Sequence, residues 1–182
     1  MLITTQTSDI ITVFNNGGVF AYPTEAIYGL GCNPDNKEAV EKLLSIKKRP
    51  VEKGLILVAS HFSQVDKYLK PISKAQIEFT KPSATTYIFP ALSSTPKWLT
   101  GEFNSLAIRI TKHPLIRELC TKLNAPIVST SANLSGYEPA KSAEEVLEQL
   151  SGKLDAILKG NIGDSQKPSV IRDSISRQII RS

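Results

Sequence analysis

An uninterrupted apolar run in the middle of the chain constrains the fold more than any other feature. Residues 54–59 (GLILVA) carry no polar side chain, whereas a strand with one solvated face alternates between apolar and polar positions. The run is therefore predicted to form a strand that is covered on both faces. Such a strand requires other elements packed on each side of its sheet.

Helical patterns occur at several other places in the chain. Cap residues precede apolar positions at helical spacing at Ser8, at Asn36 and at Ser142, where Glu145 completes the pattern of a capping box. A further helix is predicted over 113–123, and two short ones near 61–69 and 73–80. These helices supply the layers that the buried strand needs.

Strand patterns alternate with the helical ones without a strict order. Strands are predicted at 19–22, 85–89, 106–110 and 126–128, and near 155–158, 169–172 and 178–181. Residues 24–34, which contain Gly29 and Gly31, are predicted to form a loop whose backbone approaches another group closely. The fold class is therefore predicted to be α/β (α+β), a twisted mixed sheet with helices packed around it, in a single domain over residues 1–182.

Charge and composition restrict the ligands and the compartment. The net charge of +5, from 22 basic and 17 acidic residues, favours anionic ligands, either phosphates or RNA, without distinguishing them. No stretch approaches the roughly 18 apolar residues of a membrane span, and the N-terminus lacks the pattern of a signal peptide. We predict a cytoplasmic protein without membrane contact. Cys32 and Cys120 are predicted to be free thiols, and two histidines disfavour a histidine-rich metal site.

A basic cluster follows the helix that Asn36 begins. Lys47, Arg49 and Lys53 lie just before the buried strand, where they form either a solvated run favoured by the helix dipole or an anion site. An arginine fork binds phosphate or carboxylate in a bidentate way, and lysine adds a compact charge.

A polar cluster follows the strand at 126–128. Ser129, Thr130, Ser131 and Asn133 form either a polar turn or a set of hydroxyl and amide groups that replaces water around a phosphate or a base. Ligands of α/β sheets bind at such strand ends. The two clusters together predict a pocket for an anionic, polar ligand, most simply a nucleotide phosphate.

The segment between the first two predicted strands is the third candidate. Thr24 and Tyr28 there either bind a small polar substrate or belong to a turn with a glycine hinge. The sequence shows no Ser-His-Asp or Cys-His pattern of a nucleophilic enzyme, and His61 and His113 are predicted to be structural. Asp35 and Asp173 either help to position Mg²⁺ through a nucleotide or, as we predict, are capping or solvated carboxylates, so no metal is assigned to protein ligands.

Six segments in order resemble the YrdC/TsaC family, the L-threonylcarbamoyladenylate synthases, in their short bacterial form. They are residues 21–32 (AYPTEAIYGLGC), 47–57 (KKRPVEKGLIL), 96–101 (PKWLTG), 106–115 (LAIRITKHPL), 129–136 (STSANLSG) and 168–173 (PSVIRD). The Lys-x-Arg and Ser-x-Asn pair is the signature of the family. The resemblance implies the YrdC/RibB-like fold, in which a twisted mixed parallel and antiparallel sheet bends around a large basic cavity.

The resemblance also implies an activity. Such enzymes join L-threonine, bicarbonate or CO₂, and ATP to give threonylcarbamoyl-AMP and pyrophosphate, with Mg²⁺ carried by the nucleotide. A separate tRNA threonylcarbamoyl-transferase complex then modifies adenosine 37 of tRNAs that read ANN codons. The chemistry needs no classical base, because a cationic pocket lowers the pKa of the amine and stabilises the charge that develops at phosphorus.

Residue roles follow from the resemblance alone. Lys47 and Arg49 are expected to act electrostatically in catalysis. The L-threonine site is expected to comprise Thr24, Tyr28, Lys47, Arg49 and Arg109. The nucleotide site is expected to comprise Arg49, Lys53, Thr86, Ser129, Ser131, Asn133, Ser169 and Arg181. Residues 82–86 (PSATT) depart from the Pro-Gly-Pro-x-Thr segment of the family, which weakens the assignment of Thr86.

Two alternatives remain open at this stage. The basic excess also fits a module that binds tRNA or double-stranded RNA, or acts in ribosome maturation, without ATP turnover. A different adenylate-forming or carbamoyl-transferring enzyme, using another small acid, fits the same polar clusters.

Overall fold

Strands of both directions form a single open sheet in the part of the chain that the computed structural model describes, residues 1–165 and 169–181. Its ten strands lie in the order β1-β8-β2-β3-β7-β4-β6-β5-β9-β10. They are β1 (Leu2–Thr4), β2 (Phe20–Pro23), β3 (Tyr28–Gly31), β4 (Ile56–Ala59), β5 (Thr85–Pro90), β6 (Ser105–Ile110), β7 (Ile127–Ser131), β8 (Ala156–Leu158), β9 (Val170–Asp173) and β10 (Ile179–Arg181). The mixed sheet confirms the predicted fold class. Pro168, the first residue of the last quoted segment, lies outside the described residues.

Parallel and antiparallel pairs mix throughout this sheet. β1 and β2 run parallel to β8, β4 to β6, and β5 to β9. β7 lies antiparallel to both β3 and β4 and so joins the two halves of the sheet. The basic cluster precedes β4 and the polar cluster lies at the end of β7, so both clusters belong to neighbouring strands near the middle of the sheet.

Helices cover both faces of the sheet. They are α1 (Thr7–Asn15), α2 (Lys37–Lys47), α3 (Lys74–Phe79), α4 (Lys97–Thr100), α5 (Pro114–Leu123) and α6 (Ala143–Leu150). Asn36 caps α2 by accepting a hydrogen bond from the Ala39 amide at 2.9 Å, as predicted. The capping box at α6 is half formed: Ser142 accepts from the Glu145 amide, but the Glu145 carboxylate accepts from the amide of Lys141.

The apolar run at 54–59 lies between two hydrophobic clusters, as its pattern predicts. Leu57 and Ala59 pack in the cluster that includes α2 and α6, while Val58 packs in the cluster of α1 and α5. All three are fully buried. Burying a valine or leucine side chain contributes about 1.5–3 kcal/mol, so this strand anchors the helices of both faces.

The loop predicted over 24–34 is wrong in its middle, because β3 occupies Tyr28–Gly31. The close approach inferred from its glycines is nevertheless present. A Cβ at Gly31 would lie 2.7 Å from the Tyr22 ring and 2.9 Å from the Val128 carbonyl oxygen. A strand with glycines at two of its four positions lacks the β-branched pattern that marks strands in a sequence.

Two other local predictions differ from the structure. The helix predicted near 61–69 is a pair of 3-10 turns, Phe62–Gln64 and Asp66–Tyr68. The Gln64 side chain accepts from the Ser60 amide at 2.9 Å and donates to the Cys120 carbonyl at 2.8 Å, which fixes the first turn in place of a longer helix. β1 was not predicted, since three residues at a sheet edge carry too little pattern.

Two further predictions concern the cysteines and membrane-spanning segments. Cys32 and Cys120 are both free and buried, and burial raises the pKa of the Cys120 thiol to about 12. Within residues 1–165 and 169–181, we find no helix with the length and apolarity that crossing a bilayer requires.

Candidate functional site: a cationic cavity at the centre of the sheet

A cavity of about 490 Å³ opens where the β2–β3 loop, the end of α2 and strands β6 and β7 meet. Its walls contain these sequence-predicted site residues: Thr24, Arg49, Arg109, Ser129, Ser131, Ser169 and Arg181. Residues from distant parts of the chain thus share one hollow. Guanidinium and hydroxyl groups dominate its polar lining, which suits a ligand with several negative groups.

The end of α2 explains why Lys47 and Arg49 reach the same region. Lys48 between them adopts the left-handed conformation (φ 46°). Its amide donates to Ser45 O at 3.1 Å, and the Arg49 amide donates to Leu44 O at 3.0 Å, which is the hydrogen-bond pattern of a Schellman motif. The helix therefore ends at Lys47, and the chain reverses within one residue.

Lys47 lies directly behind the cavity wall. Its ammonium donates to the backbone oxygen and the Oδ1 of Asn133, both at 2.6 Å, and to Ser131 Oγ at 3.3 Å. Burial, with a smaller contribution from the charge of Arg49, lowers the pKa of Lys47 to about 8. The Lys-x-Arg and Ser-x-Asn segments are thus joined by hydrogen bonds, with Ser131 on the cavity side.

Asn133 supports this wall rather than lining the cavity. Its Oδ1 also accepts from Ser131 Oγ at 2.6 Å, and its Nδ2 donates to Leu134 O and Tyr137 O. Every polar atom of the carboxamide is therefore used within the protein. The structure places Asn133 so that it positions Lys47 and Ser131.

Arg49 and Arg181 bring two positive charges to one side of the cavity. Arg49 donates to the Gly54 carbonyl at 2.9 Å, and its buried Nε has no partner among the described residues. Burial, followed by the charge of Arg181, lowers the pKa of the Arg49 guanidinium. An anion between these side chains would reduce the repulsion between the two guanidinium groups.

Arg109 and the carboxylate of Glu25 form a further charged part of the cavity wall. Arg109 Nη1 lies 3.7 Å from Glu25 Oε2, and both side chains are buried. Glu25 Oε1 accepts from the Thr111 hydroxyl at 2.5 Å, and Thr111 Oγ1 accepts from the His113 amide at 3.1 Å. Strand β6 and its continuation therefore hold both members of the pair.

Besides Lys47 and Asn133, three predicted site residues do not line this cavity. The Tyr28 hydroxyl donates to Gly160 O at 2.7 Å, and Tyr28 lines a second cavity of about 460 Å³ beside Lys159. Lys53 is exposed and is absent from the residues that line the main cavity. Thr86 is fully buried and donates to Ser169 Oγ at 3.0 Å, so it supports a lining residue.

The side chains considered for metal binding have structural partners. Asp35 accepts from Lys67 Nζ at 2.6 Å and from the Tyr68 hydroxyl at 2.7 Å. Asp173 accepts from the amides of Ile175 and Ser176 in the turn before β10. In the ranges that the structure describes, no group of three His, Cys, Asp or Glu side chains is placed to hold a metal ion.

Glu25 is the residue to which the sequence predictions assigned no role. It belongs to the quoted segment 21–32, but a single carboxylate beside a turn carries no signal of its own.

Fold and cavity together define a class, the open mixed-sheet proteins with a cavity lined by guanidinium and hydroxyl groups. The chain belongs to the Sua5/YciO/YrdC family, whose model, described as "Telomere recombination", matches residues 12–182. This match confirms the resemblance to the YrdC/TsaC family that the sequence segments indicate.

Solved structures agree with this assignment. The chain is similar to P. abyssi Sua5 in complex with L-threonine, with 27% identity over 94% of this chain and a TM-score of 0.86, and it spans 53% of that protein. It is similar to E. coli YciO, with 25% identity, a TM-score of 0.80, and coverage of 100% of this chain and 93% of that one. It is also similar to MTH1692 of Methanobacterium thermoautotrophicum, with 28% identity, a TM-score of 0.73, and coverage of 92% and 80%.

Proposed function

We propose that the protein is an L-threonylcarbamoyladenylate synthase, a nucleotidyltransferase that joins L-threonine, bicarbonate or CO₂, and ATP. The products are threonylcarbamoyl-AMP and pyrophosphate, and the adenylate would serve the modification of adenosine 37 in tRNAs that read ANN codons. The observation that carries the proposal is the convergence of Arg49, Arg109 and Arg181 with serine hydroxyls on one cavity. P. abyssi Sua5, which has a similar fold, has a crystal structure in complex with L-threonine.

The arrangement suits this reaction through charge and proximity. Arg49 and Arg181 would hold the nucleotide phosphates with Ser129, Ser131 and Ser169, and Mg²⁺ would arrive with ATP. Lys47 and Arg49 would stabilise the charge that develops as the carbamate attacks the α-phosphate and pyrophosphate leaves. Holding three reactants in one cavity removes much of the entropic barrier.

Direct detection of the product tests the proposal. Purified protein is incubated with ATP, Mg²⁺, L-threonine and bicarbonate, and threonylcarbamoyl-AMP and pyrophosphate are measured. Product should form only when all four components are present, and Arg49→Ala should reduce its rate by about 100-fold, since one electrostatic donor contributes a factor of this order. Pyrophosphate release without threonine, or no product at all, would contradict the proposal.

The product assay, together with a measurement of RNA binding at several salt concentrations, separates the alternatives. Product with serine but not threonine would favour another adenylate-forming enzyme. Binding of tRNA or double-stranded RNA that weakens steeply with salt, without ATP turnover, would favour the RNA-binding module.

A further inference from the structure

Glu25 is the only acidic side chain among the described residues that line the cavity. It is 3% exposed, and its Oε2 has no hydrogen-bond donor in the described part of the chain. Buried carboxylate oxygens normally accept hydrogen bonds, because an unsatisfied buried polar group is costly. Among residues 1–165 and 169–181, this atom therefore lacks a donor.

The nearest cation satisfies Glu25 only in part. Arg109 Nη1 lies 3.7 Å from Oε2, which is beyond hydrogen-bond distance, and Arg109 Nε also lacks a partner among residues 1–165 and 169–181. Both sides of the ion pair thus keep an unused hydrogen-bonding group. A ligand that brings one donor and one acceptor would complete both.

The rest of the carboxylate is held firmly. The Thr111 hydroxyl fixes Oε1, and the amide of Ser165 donates to the Glu25 carbonyl at 2.9 Å. The Gly163 amide does the same for the Thr24 carbonyl at 2.9 Å. The free oxygen of Glu25 is therefore presented from a fixed backbone, as a recognition group requires.

The family resemblance already implies that Arg109 contacts the amino acid. We propose that Glu25 completes a clamp for the α-amino acid zwitterion by accepting the ammonium group, while Arg109 binds the carboxylate. The inference rests on the proposed function and names the residue that selects an amino acid over other small acids. The loose ion pair opens by a small shift of the guanidinium, and each of its charges gains a charge-assisted hydrogen bond to the ligand.

A purely structural role makes a different prediction. If Glu25 only orients Arg109, its loss weakens every ligand whose carboxylate Arg109 binds. If Glu25 binds the ammonium, its loss weakens only ligands that carry one. L-Threonine and (R)-3-hydroxybutyrate, in which hydrogen replaces the ammonium group, differ in this group alone.

Calorimetric titration of both ligands into the full chain, with Mg²⁺ and a nonhydrolysable ATP analogue present, tests the clamp. Glu25→Gln should weaken L-threonine binding by about 10- to 100-fold, the range expected for a hydrogen bond between charged groups. Binding of the hydroxy acid should change by less than about twofold, since its contact with Arg109 remains. Glu102→Gln, an exposed carboxylate on another loop, serves as the matched control and should change neither affinity.

Thr111→Val provides a second test that keeps the charge of Glu25. Loss of the hydroxyl frees Oε1 and should weaken L-threonine selectively, by about 3- to 10-fold for one hydrogen bond. This variant decides the question if thermal melting shows that Glu25→Gln is unfolded. Equal weakening of both ligands, or unchanged threonine binding, in a folded variant would overturn the clamp. Failure of the wild-type protein to bind L-threonine would instead contradict the proposed function.

Discussion

Lys47 shows how a single buried charge ties the two sequence clusters together. Its ammonium contacts only neutral oxygens, those of Asn133 and Ser131, so its positive charge is hydrogen-bonded but not neutralised. Burial and the nearby Arg49 lower its pKa to about 8. A phosphate entering the cavity would favour the charged form and raise this pKa again.

We predict that binding of Mg-ATP is coupled to proton uptake at pH 8 to 9. In this range the ammonium of the free protein is partly deprotonated, and the bound anion restores the proton, so affinity should fall as the pH rises through 8. Calorimetry in two buffers with different ionisation enthalpies measures the protons taken up. Lys47→Met should abolish the uptake, and an unchanged uptake in that variant would show that another group is responsible.

At the scale of elements, the left-handed residue after α2 separates Lys47 from Arg49. Lys48 adopts φ 46° without being glycine, and the left-handed conformation costs an ordinary residue about 1–2 kcal/mol. The spacing of the Lys-x-Arg motif is thus the spacing of a helix end. The intermediate residue turns the chain, and Arg49 lines the cavity while Lys47 lies behind its wall.

We predict that Lys48→Gly raises the free energy of unfolding by about 1 kcal/mol, because glycine adopts positive φ without the steric cost. Urea denaturation measures the change. Ser45→Gly, an exposed position within the same helix, should have the opposite sign and cost about 0.5 kcal/mol. Destabilisation by both substitutions would contradict the helix-end explanation.

The β9–β10 hairpin contributes Ser169 and Arg181 to the cavity from the far end of the sheet. Arg181 is exposed, so its removal should leave folding intact. We predict that Arg181→Met weakens Mg-ATP binding by about 10-fold, as expected for one contact between charged groups. Fluorescence or calorimetric titration measures it.

Arg172 of the adjacent strand is the matched control, because its guanidinium donates to the Arg177 carbonyl and it is not among the residues that line the cavity. Arg172→Met should leave Mg-ATP affinity within about twofold of the wild type. Equal losses in the two variants would indicate a general effect of positive charge on the hairpin.

Sequence patterns predicted those elements whose local signals agree with their tertiary surroundings. α2, α5 and β4 have caps, amphipathic spacing or a continuous apolar run, and the structure confirms them. The local pattern does not predict β3. Its glycines leave room for the Tyr22 ring and the Val128 carbonyl, and they do not form a turn. That requirement arises between strands and leaves no trace in local propensity.

The candidate site was predictable as a set of residues but not as an arrangement. Motif positions identify Arg49, Arg109 and Ser131, which line the cavity. They do not reveal that Asn133 is consumed by internal hydrogen bonds or that Tyr28 faces another cavity. Such distinctions depend on side-chain direction, which the spacing of residues along the chain does not determine.

At the scale of the whole molecule, the cavity draws its walls from both halves of the sheet. The β2–β3 loop belongs to one half, and β6 with the β9–β10 hairpin belongs to the other, with β7 between them. A ligand that contacts all of these elements makes non-covalent contacts that it cannot make with the unfolded chain. Binding should therefore stabilise the entire fold.

We predict that Mg-ATP at 100 times its dissociation constant raises the melting temperature by about 5–10 °C. This follows from a linked stabilisation of about 2.7 kcal/mol and a shift of about 2–4 °C per kcal/mol for a chain of this size. Arg49→Met should lose most of the rise, while Lys153→Met, at an exposed cation that does not line the cavity, should keep it. Differential scanning calorimetry measures the shift, and an equal rise in both variants would contradict binding at this cavity.

The positions of β1 and β10 at opposite edges of the sheet have a practical consequence for purification. An affinity tag fused before Met1 would emerge beside the edge strand β1, which supplies no residue to the cavity lining. The same tag fused after Ser182 would begin two residues beyond Arg181, which lines the cavity, and would crowd it. Assays of this protein should accordingly use amino-terminal fusions, and a polyhistidine tail at the other end should depress nucleotide affinity until it is cleaved.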